Sequence, residues 1–151
     1  MRDARAAIAA TAAVLLLGAC SSDTSSSAGG EGTTVAVTLQ EFAVSADPTT
    51  VPAGSVTFNA TNNGPDDDHE MVVIKTDLEA TALPTKEDGS VDEEGEGVDA
   101  IDEIPEFSPG STASLSVDLA AGSYVLICNI YDPDEDEAHY QEGMRLAFTV
   151  S

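Results

Sequence analysis

The sequence predicts an all-β fold, a Greek-key β-sandwich of seven to eight short strands. Three observations lead there. Stretches of period-two alternation recur from Thr34 to Val150. Clusters of Gly, Pro, Asn and Asp separate them at intervals. Helical spacing occurs in one short stretch, Leu78 to Leu83. The segment following residue 33 is long enough for a single modest core, so one domain is expected over 34–151.

The elements follow in order. In Thr34–Gln40, Val35, Val37 and Leu39 share one parity, and Ala36, Thr38 and Gln40 the other. Phe42 and Val44 continue the apolar pattern. Asp47-Pro48 and Pro52-Ala53-Gly54 are turn chemistry. Val56, Phe58 and Ala60 alternate again, and Asn62-Asn63-Gly64-Pro65 ends that strand. His69–Lys75, with Met71, Val72, Val73 and Ile74, is the next. From Thr76 to Glu106 the pattern fails. Leu78, Ala80, Ala82 and Leu83 allow one helical turn before Pro84. The stretch KEDGSVDEEGEG lacks the ligand spacing of an EF-hand and reads as a solvated surface loop. Val98, Ile101 and Ile104 are the candidates for returning the chain to the core. Pro109-Gly110 turns into a strand with Ala113, Leu115 and Val117 inward. Ala121-Gly122 turns that into a strand beginning at Tyr124, and Leu146, Phe148 and Val150 form the last.

The stretch YVLICNIYDPDEDEAHYQEGM, Tyr124 to Met144, carries the chemistry. It starts as a strand with Tyr124, Leu126 and Cys128 on one parity. An acidic loop follows, then His139, Tyr140, Gly143 and Met144. A thiol, an imidazole and a thioether thus gather around one loop. Soft sulfur donors with imidazole suit copper, and two His, one Cys and a weak axial Met are the blue-copper arrangement. His69, in NNGPDDDHEMVVI, supplies the second imidazole. Taken singly, each residue has a plainer reading: a buried inert Cys, two exposed turn histidines, a core Met. Scarcity argues against four such coincidences. Both histidines of the chain, its one Cys besides Cys20 and one of two Met after Met1 fall into this pattern. Met71 shares the parity of His69 and is expected to pack under the site.

With these residues the chain resembles a cupredoxin of the plastocyanin and azurin type. The pattern Cys-Asn-Ile…His-Tyr-x-x-Gly-Met is also similar to small secreted or lipid-anchored bacterial members. The resemblance covers roughly residues 33–151. It implies that His69, Cys128, His139 and Met144 hold one type 1 copper, and that an Asn of the loop before His69, either Asn62 or Asn63, steadies the site. Asn129, beside Cys128, is a further candidate for that role. One feature departs from the family: residues 129–138 separate Cys128 from His139, where two to four residues are usual.

The N-terminus reads as targeting. Residues 1–19 combine Arg2 and Arg5 with an apolar run, Ala6 to Leu17, too short to span a membrane. Leu17-Gly18-Ala19-Cys20 has the look of a bacterial lipobox, in which Cys20 is acylated and becomes the mature N-terminus. Two or three acyl chains give stable attachment where one does not. Residues 20–33, rich in Ser and Gly, read as a flexible tether. With Cys20 taken by lipid and Cys128 by metal, no pair is left for a disulfide.

Composition narrows the partners. Beyond residue 19 the cations are Lys75, Lys86 and Arg145; against 27 carboxylates (28 in the whole chain, less Asp3) they leave a formal charge of −24. This excludes nucleic acid and anionic membrane surfaces as electrostatic partners. It leaves a docking face for a basic redox partner protein, or solvation of the whole surface. The functional expectation is a monomeric, lipid-anchored one-electron carrier outside the cytoplasmic membrane. The alternative is a copper-binding or copper-delivery protein with no dedicated redox partner. An enzyme is not expected, because one four-ligand copper site offers no open position and no second His cluster exists for a catalytic metal.

Overall fold

A computed structural model describes residues 32–151. Residues 1–19, read above as a targeting segment, Cys20, and nearly all of residues 20–33, read as a tether, lie outside these residues. The strands are β1 (Thr33–Gln40), β2 (Ala43–Asp47), β3 (Thr50–Val51), β4 (Gly54–Asn62), β5 (His69–Lys75), β6 (Asp99–Phe107), β7 (Thr112–Leu119), β8 (Gly122–Ile127), β9 (Tyr131–Asp132) and β10 (Glu137–Ala138). A single helical turn, α1 (His139–Glu142), and β11 (Arg145–Val150) complete the order. Among the described residues eight strands have five or more residues, matching the expected number.

Two sheets face each other. One has the order β2-β1-β4-β7, the other β3-β11-β8-β5-β6, and β9 and β10 form a separate ribbon. β1 runs parallel to β4, and β3 parallel to β11; the other pairs are antiparallel. The period-two alternation explains the packing. Val35, Val37 and Leu39 of β1 and Val56, Phe58 and Ala60 of β4 turn inward against Met71, Val73, Leu126 and Phe148 of the other sheet. Phe58 and Phe148 meet edge to face across the sandwich at 5.4 Å between centroids.

The second sheet is covered on its outer face as well. Val72 and Ile74 of β5 and Val125 and Ile127 of β8 form a second cluster with Leu83, Val91 and Tyr140. The cover is the segment between β5 and β6, which the sequence left as a possible helical turn followed by a solvated loop. It has no helix. Leu83 and Val91 are buried in it, and an isolated bridge joins Thr85 to Val91. Asn129 holds it from the Cys128 side, accepting the Val91 N–H at 2.6 Å and donating to the Val91 carbonyl at 3.1 Å. Tyr140 holds it from the His139 side through its hydroxyl, which accepts the Leu83 N–H and donates to the Ala80 carbonyl.

β6 is the strand the sequence pattern did not show. It lies at the sheet edge and buries Ile104 alone, while Ile101 is exposed. Charged side chains and Pro105 are what an edge strand tolerates, and they erase the alternation that marks an inner strand.

Candidate metal centre

Cys128 follows β8 and keeps its inward parity, which buries its sulfur completely. His69 opens β5 and is also fully buried. His139 opens α1, one turn whose next residue, Tyr140, faces the opposite, outer cluster. The turn ends at Gly143, where φ is +130° and a Cβ would lie 3.0 Å from the Phe42 carbonyl oxygen. Glycine is therefore the residue that lets the chain leave α1 and enter β11.

These elements bring His69, Cys128 and His139 together, with one donor atom of each within 4.8 Å of the others. The Cys128 Sγ lies 3.3 Å from His139 Nδ1 and 3.9 Å from His69 Nδ1. Met144 is fully buried in the same core cluster as Cys128. Its backbone is tied to both other loop residues: the Cys128 N–H donates to the Met144 carbonyl at 3.1 Å, and the Met144 N–H to the His139 carbonyl at 3.0 Å. Met71 packs in that cluster too.

The long interval between Cys128 and His139 is folded away. β9 and β10 pair Tyr131 with Ala138 and Asp132 with Glu137. Asp136 takes the left-handed conformation in the turn, and its carboxylate accepts the Tyr131 hydroxyl at 2.8 Å. Beneath this ribbon the His139 N–H donates to the Ile130 carbonyl at 2.9 Å. Along the shortest bonded path, only Asn129 and Ile130 separate Cys128 from His139.

Supporting groups resolve the choice among the asparagines. Asn62 is fully buried, donates to the carbonyls of Asp67 and Phe107, and accepts the Gly64 N–H. It fixes the loop that delivers His69, whereas Asn63 is exposed. The turn between β1 and β2 buttresses both imidazoles, a role the sequence did not reveal. Phe42 meets the His139 ring edge to face at 5.4 Å, and Glu41 Oε1 lies 3.7 Å from His69 Nε2.

Burial sets the protonation states. It lowers the His69 and His139 pKa values from the ordinary histidine range, and pushes the Cys128 thiol up to about 12. The Glu70 N–H, 3.4 Å from Sγ, opposes the rise only in part. Burial likewise raises Glu70 to about 7. For Glu41, burial raises the pKa, but N–H donors led by that of Asp67 outweigh it and the net shift is downward. The protein alone thus presents two neutral imidazoles and a thiol in a dry, close-packed set. A soft cation is what turns that thiol into a thiolate at neutral pH. Two nitrogens and one sulfur at these separations, with a buried thioether on the same loop, fit one type 1 copper.

The site lies behind an acidic mouth. A cavity of about 470 Å³ is lined by Asp66, Asp67, Asp68, Glu106, Asp132 and His139, among others. Carboxylate oxygens of Asp67 and Glu137 and a nitrogen of His139 lie within 4.8 Å of one another.

No family model matches the chain, and no curated protein matches it. Solved structures do. Auracyanin from the photosynthetic bacterium Roseiflexus castenholzii is 25% identical, with a TM-score of 0.56 over 81% of this chain and 99% of its own. Auracyanin A, a "blue" copper protein from the green thermophilic photosynthetic bacterium Chloroflexus aurantiacus, is 21% identical, with a TM-score of 0.50 over 80% and 99%. Rusticyanin from Thiobacillus ferrooxidans is 14% identical, with a TM-score of 0.55 over 80% and 79%. All three are cupredoxins, and their fold is the fold of this chain.

Proposed function

We infer that this chain, a cupredoxin by its fold and its donor set, is a one-electron carrier with a single type 1 copper, lipid-anchored outside the cytoplasmic membrane. The observation that carries the reading is the buried His69, Cys128 and His139 set, with Met144 bonded through its backbone to the same loop. Copper bound there supplies a one-electron couple. The chain's own residues supply rigidity. Asn62 fixes the His69 loop, the Ile130–His139 bond fixes the His139 loop, and Phe42 packs against the His139 ring. Donors that cannot move keep reorganisation small when the charge at the site changes. The acidic cavity beside His139 is where a redox partner of basic surface charge would approach.

Membrane attachment rests on Leu17-Gly18-Ala19-Cys20, outside the described residues. Changing Cys20→Ala should release the protein from membranes, and an unmodified mature N-terminus by mass spectrometry would reject the anchor. A second reading, copper delivery, is favoured by the Asp67, Glu137 and His139 cluster at the mouth, which could pass a cation inward. The readings separate in one experiment. A carrier keeps its copper through repeated oxidation and reduction against a competing chelator, with reversible voltammetry. A delivery protein gives the copper up to an acceptor within one cycle.

A further inference from the structure

We propose that Glu41 is the positioning residue of His69: its carboxylate accepts the Nε2–H of the imidazole, holds the Nδ1 lone pair toward the metal, and places a negative charge one ring away from it. His69 is fully buried, and its Nδ1 faces the Cys128 sulfur. Its other nitrogen, Nε2, has neither a hydrogen-bond partner nor solvent. A neutral imidazole carries one N–H, and the nitrogen that carries it is set by the acceptor available. The group in front of Nε2 is Glu41, with Oε1 at 3.7 Å.

Glu41 is built into its place. Oε1 accepts the N–H of Asp67 at 2.8 Å and of Asp66 at 3.4 Å, while Oε2 is buried with no partner. Gly64 packs against the carboxylate so closely that a Cβ there would overlap both Oε1 and Oε2. The turn before His69 is thus shaped around this side chain. The unpartnered Nε2 of His69 faces the Glu41 carboxylate across the 3.7 Å to Oε1, a gap that a small movement closes, and the other oxygen of that carboxylate is itself without a partner. Leaving the buried Nε2 unpaired is costly. A carboxylate behind a ligating imidazole fixes the ring and raises its basicity. It also favours the more highly charged state of the metal.

Two measurements test this, and only the second rests on the copper reading of the site. In the metal-free protein, the nitrogen shifts of His69 report its tautomer. The wild type and Glu41→Gln should both show Nε2–H, because the Gln carbonyl still accepts. Glu41→Ala should show a mixture. In the copper-loaded protein, Glu41→Gln should shift the Cu(II)/Cu(I) balance toward Cu(I) about tenfold, or roughly 59 mV in potential for one electron. Glu142→Gln, which removes an exposed charge of α1, should shift it less than threefold. An Nδ1–H tautomer in the wild type, an unmixed Nε2–H in Glu41→Ala, or equal potentials in the two Gln variants would overturn the proposal. Should the wild type bind no copper, the function proposed above fails, and the tautomer experiment alone decides the role of Glu41.

Discussion

The backbone N–H of His139 donates to the Ile130 carbonyl at 2.9 Å, and this bond turns a long interval between two candidate ligands, Cys128 and His139, into a short one. Residues 131–138 become a ribbon standing off the site, tied at its base by the Tyr131–Ala138 pair. The ribbon is therefore an addition to the metal loop and not a distortion of it.

Shortening the ribbon tests this. Replacing Pro133-Asp134-Glu135-Asp136 by Asn-Gly keeps both cross-strand pairs and supplies the turn a two-residue hairpin needs. The variant should bind copper with unchanged stoichiometry and spectrum, and unfold within about 1 kcal/mol of the parent. Loss of the copper spectrum would mean that the ribbon shapes the site.

The pH dependence of copper binding follows from Cys128. Its thiol is held up to about 12, so each copper bound at neutral pH displaces one proton. Apparent affinity should rise about tenfold per pH unit, roughly 1.4 kcal/mol, from pH 6.5 to 9. The histidines add no steepness there, since burial keeps them neutral below the ordinary histidine range. For the metal-free protein the sign is opposite. A raised thiol pKa gives stability that is complete below the ordinary value of 9.0 and is lost as pH climbs toward 12. Competition with a chelator of known affinity measures the first, and unfolding of Cys128→Ala against its parent measures the second. A flat affinity profile would contradict the buried-thiol account.

Tyr140 joins the metal turn to the segment over the outer sheet. Tyr140→Phe removes the acceptor of the buried Leu83 N–H and the donor to Ala80. It should cost about 1–3 kcal/mol in denaturant unfolding. The copper spectrum should not change, because His139 faces the other core. A loss below 0.5 kcal/mol would show that water replaces the hydroxyl.

The sequence revealed the site more fully than its surroundings, and the reasons are physical. Cys, His and Met are rare here, so four of them at one end of a β pattern stand out. Strands β1, β4, β7 and β11 were legible because each turns alternate residues toward the core, and β5 and β8 because they are short apolar runs buried on both faces. β6 was not, because an edge strand that buries Ile104 alone leaves no alternation to read. Nor was the cover over β5 and β8, whose anchors Leu83 and Val91 are isolated apolar residues held by Tyr140 and Asn129, which are distant in sequence. Glu41 was illegible for the same reason. A carboxylate in an acidic chain acquires meaning only when folding sets it against Asp67 and His69.

The acidic mouth predicts a salt dependence. Electron exchange with a cationic protein partner should be fast at low salt and slow as salt rises, since exposed charges are screened over about 8 Å at physiological ionic strength. Changing Asp66, Asp68 and Asp132 to amides should flatten that dependence and preserve the copper spectrum. Amides in the Glu87–Glu96 stretch serve as the comparison. Equal effects of the two sets would assign the acidity to general solvation.

The most direct test of the central claim is a titration of residues 33–151 with copper(II), followed by visible absorption and EPR. Saturation at one copper per chain, an intense thiolate-to-copper band, and loss of that band in Cys128→Ser are expected. No band at saturation, or the same band in Cys128→Ser, would contradict that claim.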